Sequence, residues 1–241
     1  MTGELMTPVL DAELISTSEL GSAPDSLNNG DRLTQPEFHA LYERAPKHVR
    51  AELIGGIVYM ASPMKAPHAK NHPILSTLLT MYRRRTPGTQ AYDNATVILS
   101  DEFEPQPDLL LRIVEDYGGP SRIDADEYVQ GPPELVVEIA DSSRALDLTK
   151  KRKEYARHGI KEYLVLNLKD RRLHGFDQIS GNERPIDPDG VYRSLAFPGL
   201  WVNVSAALDD DIDGILETLD LGLATPEHAA FVAHLAAAKR S

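Results

Sequence analysis

The segment ELVVEIA at residues 134–140 limits the fold of this chain more than any other feature. Apolar residues occupy its odd and even positions alike, so a strand formed here would be buried on both faces. Strands of this kind belong to sheets with helices on each side, which predicts an α/β fold with a central mixed β-sheet flanked by helices. Glu138 interrupts the apolar run, and a carboxylate buried there is costly unless a cation or hydrogen-bond donors compensate it.

The N-terminal half shows a helix start followed by a hairpin signal. Thr34, followed by Pro36 and Glu37, combines an N-cap residue, a proline in the first turn and an acid near the helix N-terminus. Two short apolar runs then lie on either side of Gly55-Gly56. This pattern predicts a β-hairpin with a two-residue turn.

Periodicity and turn residues predict the remaining elements. A spacing near 3.6 predicts a helix over residues 68–85, with Pro73 near its start or kinking it, and a helix over residues 146–158 that ends at Gly159. An alanine-rich helix, PEHAAFVAHLAAAKR, lies near the end of the chain. Short apolar runs predict strands, the first three of them central, at ATVILS, DLLLRIV, ELVVEIA, KEYLVLNL, RRLHGF and VYRSL.

The composition excludes several kinds of chemistry. The 241 residues include no cysteine, so disulfides, thiolate metal sites and cysteine nucleophiles are ruled out. No basic segment followed by an apolar run opens the chain, and no run approaches the roughly 20 apolar residues that span a bilayer. We therefore expect a cytoplasmic protein without a membrane partner, whose chemistry rests on carboxylates, histidines, lysines or hydroxyls.

The net charge of −12 argues at first against a nucleic-acid partner, because phosphate binding usually needs a basic surface. Two segments carry nearly all of this charge. Residues 1–30 have five acidic and no basic residues, and residues 206–220 have six acidic and no basic residues, which leaves −1 elsewhere. The remainder contains an arginine triplet at 83–85 and a basic region at 144–161. Either cluster could hold phosphates, but a solvated helix face also explains each one.

Two carboxylates are candidates for a metal site. Asp108 follows Pro107 directly and begins an apolar strand; if this strand pairs with the one that carries Glu138, the two side chains converge at the sheet edge or end. Two or three converging carboxylates bind a hard divalent cation such as Mg²⁺ or Mn²⁺ through oxygen. The alternative is a capping Asp108 and a single buried Glu138 that pairs with an arginine or lysine.

The helix after Glu138 carries a polar stripe. Asp147, Lys151 and Tyr155 lie four residues apart and therefore share one helix face, which can border the sheet. A lysine aimed from this face toward a metal could polarise a water molecule or stabilise charge that develops during hydrolysis. An ordinary surface pair between Asp147 and Lys151 would produce the same spacing.

Four stretches of the sequence form a series, ELIGGIVYMASP, PQPDLLL, PELVVEIADSSRALDLTKKRKEYARHGIKEYLVLNL and FPGLW. This series resembles the Uma-type family of bacterial endonucleases, a branch of the restriction-endonuclease-like PD-(D/E)XK superfamily, and it is most specific over residues 133–168. Together with the composition, the resemblance predicts a poorly ordered acidic tail at 1–30, a restriction-endonuclease-like nuclease domain at 31–205, and an acidic and helical C-terminal extension at 206–241.

The resemblance implies roles for individual residues. Asp108 of the Pro-Asp pair and Glu138 would be catalytic residues and metal ligands, and Glu52 in the hairpin would be an additional acid at the metal. Lys151 would take the part of the catalytic lysine, because Ala140 occupies the position, two residues after the second acid, where the superfamily usually has it.

Further candidates surround this set. The main-chain carbonyl of Ile139 is a candidate oxygen ligand of the metal. His68, Arg144 and Lys150 are candidates for binding the substrate, His68 from the resemblance and the other two from their charge and position. His68 and His72 could instead chelate zinc, but the sequence indicates no third ligand for it.

The sequence thus predicts an endonuclease that uses Mg²⁺ or Mn²⁺ to hydrolyse phosphodiester bonds of nucleic acid, with DNA as the expected substrate. A homodimer is a further expectation, because cutting a duplex requires two sites. Two alternatives remain: a catalytically silent module of the same fold that binds nucleic acid or protein, and a metal-dependent hydrolase of small phosphate esters.

Overall fold

The structure is a computed structural model that describes residues 26–61, 66–141 and 143–240, and only the backbone of residues 66–69. The helices are α1 (Gln35–Arg44), α2 (Ala66–Arg85), α3 (Arg144–Leu146), α4 (Arg152–Arg157), α5 (Val204–Asp209), α6 (Ile212–Leu223) and α7 (Pro226–Ala238). A 3₁₀ turn at Glu115–Tyr117 and a π-helical turn at Asp147–Lys151 complete the helical segments. The predicted tail at 1–30 lies almost wholly outside the described residues.

Fourteen strands are present in the described part of the chain. They are β1 (Ala51–Ile54), β2 (Ile57–Met60), β3 (Thr89–Asp93), β4 (Val97–Ile98), β5 (Phe103–Glu104), β6 (Leu109–Ile113), β7 (Arg122–Ile123), β8 (Val129–Gln130), β9 (Leu135–Ala140), β10 (Glu162–Asn167), β11 (Arg172–Asp177), β12 (Asn182–Arg184), β13 (Val191–Arg193) and β14 (Trp201–Asn203).

A six-stranded sheet with the order β12-β11-β10-β9-β6-β3 forms the centre of the molecule. β9 and β10 run parallel, and every other pair of neighbours in this sheet is antiparallel. All residues of β9 and β10 are buried, as the apolar runs predict. The central mixed sheet expected from ELVVEIA is therefore confirmed.

The two faces of β9 contribute to different hydrophobic clusters, since successive side chains of a strand point to opposite sides. Val137 and Ile139 pack in a cluster with apolar residues of α2 and α6. Val136 and Ala140 pack on the other face in a cluster that includes Tyr155 of α4. Glu138 shares the parity of this second pair, so its side chain points toward the face covered by α4.

The first helix and the hairpin form as the sequence predicts. The Glu37 carboxylate accepts hydrogen bonds from the backbone nitrogen of Thr34 at 2.8 Å and from its hydroxyl at 2.7 Å, at the start of α1. β1 and β2 pair across Gly55 and Gly56, whose φ angles of 58° and 69° lie in the left-handed region that glycine tolerates. β5 adds to the other side of β1 and completes a separate three-stranded sheet.

One strand prediction is wrong, and one strand of the central sheet was not predicted. The segment ATVILS was expected to be a central strand, but only Val97–Ile98 is a strand, and it belongs to a small sheet of order β4-β8-β7. The edge position of the central sheet is taken instead by Thr89–Asp93, which the sequence did not predict. β-Branched residues suit any half-buried strand, and an edge strand does not need a continuous apolar run, so local pattern cannot choose between them.

The C-terminal helices share the main core. Ile215 and Leu219 of α6 are fully buried in the same cluster as the apolar residues of α2. His228 of α7 lies in contact range of the end of α2, with its Nε2 2.9 Å from the hydroxyl oxygen of Thr86. Among the helices in residues 26–61, 66–141 and 143–240, none is long and apolar enough to cross a membrane.

Candidate active site

Strand pairing places Asp108 beside Glu138. β6 and β9 are antiparallel with Leu109 opposite Val137, so Asp108, which comes just before β6, lies next to the residues that follow Val137. The Asp108 carboxylate accepts a hydrogen bond of 2.6 Å from the backbone nitrogen of Ile139, and the Asp108 backbone nitrogen lies 3.5 Å from Glu138 Oε2. The convergence of these two acids therefore follows from the register of the central strands.

Lys151 bridges two carboxylates, that of Glu138 on β9 and that of Glu52 on β1. Its Nζ lies 2.9 Å from Glu138 Oε1 and 2.8 Å from Glu52 Oε2, and the residue is 4% exposed. The hydroxyl of Tyr155 also donates to Glu138 Oε1, at 3.2 Å. The helix that follows Glu138 thus turns its polar stripe inward against β9.

The stripe begins with a π-helical turn. Asp147 and Lys151 are the first and last residues of this turn, and both are buried, with Asp147 1% exposed. A π turn is rare and occurs frequently at functional sites, because its wider ring of backbone atoms changes the direction of the side chains. The surface Asp–Lys pair that the spacing alone allowed is therefore excluded.

Glu52 enters the site from the hairpin. Its Oε1 accepts a hydrogen bond of 2.8 Å from the backbone nitrogen of Gln106, and its Oε2 faces Lys151. These two contacts connect β1 to the segment that leads into Asp108. The structure accordingly brings together all four acidic and basic side chains predicted for the chemistry: Glu52, Asp108, Glu138 and Lys151.

The site is rich in buried negative charge. Burial raises the pKa of Glu138 well above its usual range, although the Lys151 ammonium opposes the shift. Burial likewise raises the pKa of Asp147. Burial alone would lower the pKa of Lys151, but the carboxylates of Glu138, Glu52 and Asp147 outweigh it and raise that pKa well above the usual range. Lys151 is thus an ammonium ion that faces more than one carboxylate.

The donor set fits a hard divalent cation in chemistry and charge. The carboxylates of Glu52, Glu138 and Asp147 lie within 4 Å of the Lys151 ammonium, and that of Asp108 lies on the Ile139 amide of the same strand as Glu138. Carboxylate oxygens are the ligands that Mg²⁺ and Mn²⁺ prefer. Within the described residues, however, no three Asp, Glu or His side chains form a ready metal site. Lys151 Nζ lies between the carboxylates of Glu52 and Glu138.

The carbonyl of Ile139 is placed on the same side as Asp108. In an extended strand, the amide and the carbonyl of one residue point to the same neighbour, and the Ile139 amide donates to the Asp108 carboxylate. A main-chain oxygen is therefore available beside the two acids.

The predicted substrate-binding residues have different surroundings. Arg144 pairs with Asp170 through one guanidinium nitrogen, which donates to both carboxylate oxygens at 2.8 and 3.0 Å. Lys150 donates to the hydroxyl of Tyr59 at 3.2 Å and lies 5.0 Å from the centre of its ring. The side chain of His68 lies outside the described residues.

The arginine triplet is remote from the site. Residues 83–85 end α2 and precede Thr89, which pairs with Ile113 at the far end of β6 from Asp108. At 1.5 Å per helical residue, the triplet lies roughly 16 to 20 Å along α2 from His72, which neighbours Asp108. The triplet is therefore not part of this cluster.

Two residues beside the site, His72 and Gln106, had no predicted role in it. His72 Nε2 lies 3.2 Å from the main-chain oxygen of Asp108, and its Nδ1 lies 3.6 Å from Asp93. Gln106 holds Glu52 through its backbone nitrogen. The position of His72 depends on β3, which was not predicted, and the Gln106 contact is a backbone interaction that no side-chain pattern reveals.

Comparison with known proteins identifies the family of this chain. Residues 35–205 match the model of the Uma2 family, whose description is "Putative restriction endonuclease". The chain belongs to the Uma2 family. The family resemblance of the sequence motifs is thus confirmed.

A solved structure supports the same fold. The crystal structure of a "putative nuclease belonging to DUF820" from Anabaena variabilis superposes with a TM-score of 0.54 at 11% sequence identity, covering 75% of this chain and 97% of that one. The restriction-endonuclease-like α/β fold is therefore confirmed for this Uma2 member. No curated protein matches the chain.

Proposed function

We propose that this Uma2 protein is a metal-dependent endonuclease that hydrolyses phosphodiester bonds of nucleic acid, with DNA as the substrate. The observation that carries the proposal is the buried cluster in which Glu52 and Glu138 face Lys151 while Asp108 lies against the same strand. A scaffold has no need of two buried and two half-buried acids grouped near one lysine, because such a cluster is costly to form. The family description supports the nuclease class.

Asp108, Glu138 and Glu52 are the proposed ligands of Mg²⁺ or Mn²⁺, together with the carbonyl oxygen of Ile139. A divalent ion held by these groups would lower the pKa of a bound water molecule and would offset charge on the phosphate whose P–O ester bond is hydrolysed. The hydrogen bond from Ile139 holds the Asp108 carboxylate against β9, and the hydroxyl of Tyr155 holds Glu138. These contacts fix the direction of both acids before substrate binds, as efficient electrostatic catalysis requires.

Lys151 is the proposed catalytic lysine. Its ammonium, charged because of the surrounding carboxylates, orients the attacking water or stabilises the negative charge that develops on the phosphoryl oxygens. Arg144 and Lys150 are proposed to bind the phosphate backbone, which would require Arg144 to exchange Asp170 for a phosphate. His68 is proposed to face the substrate. Two copies acting as a homodimer would cut both strands of a duplex.

A cleavage assay with matched variants tests the proposal. Supercoiled plasmid and single-stranded DNA and RNA are incubated with the full chain in Mg²⁺, Mn²⁺ or chelator, beside Asp108→Asn, Glu138→Gln and Lys151→Met. Glu134→Gln is the control, because Glu134 is equally buried but lies four residues from Glu138, about 13 Å along the strand at 3.3 Å per residue. Metal-dependent nicking that the three site variants lose and the control keeps is the expected result.

Two other outcomes would point elsewhere. Nicking that survives both Asp108→Asn and Glu138→Gln would show that the activity does not come from this site. Metal-dependent DNA binding without cleavage by the unaltered chain would favour the silent binding module, whose support is the direct pairing of Lys151 with Glu52 and Glu138. Cleavage of a small phosphate diester but not of nucleic acid would favour the hydrolase alternative.

A further inference from the structure

Asp147 is a buried carboxylate to which the proposed function gives no role. Neither of its oxygens accepts a hydrogen bond of normal geometry from the described residues, although the nearby Ser143 hydroxyl acts to lower its pKa. Glu162, which is also buried, accepts four hydrogen bonds from the segment of residues 192–196. A carboxylate buried without donors is destabilising, so the position of Asp147 calls for a function that compensates it.

Lys151 supplies the cation near Asp147, but its ammonium lies closer to two other carboxylates. Lys151 Nζ lies 3.7 Å from Asp147 Oδ1 but 2.8 and 2.9 Å from Glu52 and Glu138. A charge-assisted hydrogen bond of ordinary length, about 2.8 Å, therefore requires a shift of roughly 1 Å toward Asp147. The flexible four-carbon stem of lysine permits a movement of this size without any change in the helix.

The same two carboxylates cannot hold both cations at once. An ammonium and a divalent ion that share Glu52 and Glu138 would repel each other strongly in a buried site. Lys151 is also too deeply buried for its ammonium to be hydrated instead. Asp147, one helical turn away and on the same side, offers the ammonium an acceptor within reach.

We propose that Asp147 is a positioning residue that receives the ammonium of Lys151 when Glu52 and Glu138 bind a divalent cation. The inference rests on the proposed function, because it concerns the same metal site. In the metal-free protein, Lys151 neutralises Glu52 and Glu138. In the metal-bound protein, Lys151 pairs with Asp147 and remains beside the reacting phosphate, with no unpaired ammonium left in the interior.

Mn²⁺ binding to four forms of the full chain tests this role without a catalytic readout. Isothermal titration, or electron paramagnetic resonance of free Mn²⁺, gives the dissociation constants of the unaltered chain, Asp147→Asn, Lys151→Met and the double variant. Asp147→Asn is expected to weaken Mn²⁺ binding about tenfold in the unaltered background and less than about threefold in the Lys151→Met background. Such non-additivity is the signature of two side chains that act through each other.

Other results would overturn the role of Asp147. Equal weakening in both backgrounds would mean that Asp147 acts on the cation independently of Lys151, and no weakening in either would remove it from the metal site. In chelator, Asp147→Asn should be at least as stable as the unaltered chain, because the change removes an uncompensated buried charge. A clear loss of stability there would make Asp147 a purely structural partner of Lys151 and would also contradict the proposal.

Failure of the metal site itself gives a different pattern. Absence of Mn²⁺ binding by the unaltered chain, or binding that survives both Asp108→Asn and Glu138→Gln, would refute the proposed metal site and this inference with it. Binding that those two variants abolish, combined with an Asp147→Asn effect that does not depend on Lys151, would refute the inference alone.

Discussion

Replacement of Lys151 by methionine should destabilise the metal-free protein strongly at neutral to alkaline pH. The methionine keeps most of the side-chain volume but removes the only ammonium that the described residues place within 4 Å of Glu52, Glu138 and Asp147. Removing one partner of a buried ion pair costs about 3–5 kcal/mol, because the remaining charge stays buried without compensation. For a chain of this length, each kcal/mol lowers the melting temperature by about 2–4 °C, so a decrease of roughly 6–20 °C is expected.

The loss should become smaller as the pH falls. Burial raises the pKa of Glu138 and of Asp147 in the folded state, and removal of the ammonium takes away the effect that opposes this rise. A carboxyl group whose pKa is raised on folding stabilises the folded state fully below its unfolded pKa, and this contribution disappears as the pH rises through the folded pKa. Protonation of these groups at lower pH therefore relieves the repulsion that Lys151→Met creates.

Chemical denaturation in chelator, followed by circular dichroism at pH 8 and pH 5.5, measures both effects. Lys153→Met is the matched control, since Lys153 is an exposed lysine on α4, and it should change the free energy of unfolding by less than about 0.5 kcal/mol. A decrease below about 1 kcal/mol for Lys151→Met at pH 8, or the same decrease at both pH values, would show that Lys151 does not neutralise buried carboxylates in the folded protein.

Two further predictions concern the framework around the site. Glu162→Gln should lower the free energy of unfolding by about 1–3 kcal/mol, because the amide cannot accept all four hydrogen bonds that the carboxylate accepts; urea denaturation measures this, with the half-exposed Glu183→Gln as control. Burial lowers the pKa of His228, so its contribution to stability should be present above the ordinary histidine pKa and be lost as the pH falls below it. A proton NMR titration of His228 that gives an unshifted pKa would contradict this second prediction, and His228→Gln should make the pH dependence of unfolding shallower.

Local sequence patterns predicted the main elements because each depends on neighbouring residues. The capping residues before α1 and the paired glycines between β1 and β2 act over a few positions. The apolar run of β9 required burial on both faces wherever that strand was placed. The stripe of Asp147, Lys151 and Tyr155 followed from helical spacing, although the wider π-helical turn at its start was not foreseen.

The pairing of the strands, and the burial of individual side chains, could not be derived from local sequence patterns. The failure at ATVILS and the omission of Thr89–Asp93 both concern which strand reaches the sheet, and that choice depends on contacts between distant segments. The contact of Glu52 with Lys151 joins residues about a hundred positions apart, and no spacing in the sequence encodes it. The sequence therefore named the residues that meet in this cluster, but not the contacts that bring them together.

Glu138 shows most clearly which features follow from the local sequence and which follow from tertiary contacts. From the sequence it follows that a carboxylate interrupts a strand buried on both faces and must find a cation or donors, because moving a charge out of water is costly wherever the strand lies. Only the tertiary structure decided which groups meet that need: Lys151 and Tyr155 from the following helix, with Asp108 beside them through the register of β6 and β9. Register and packing are set by the whole hydrophobic core, so the partners of a buried charge emerge only when the chain has folded.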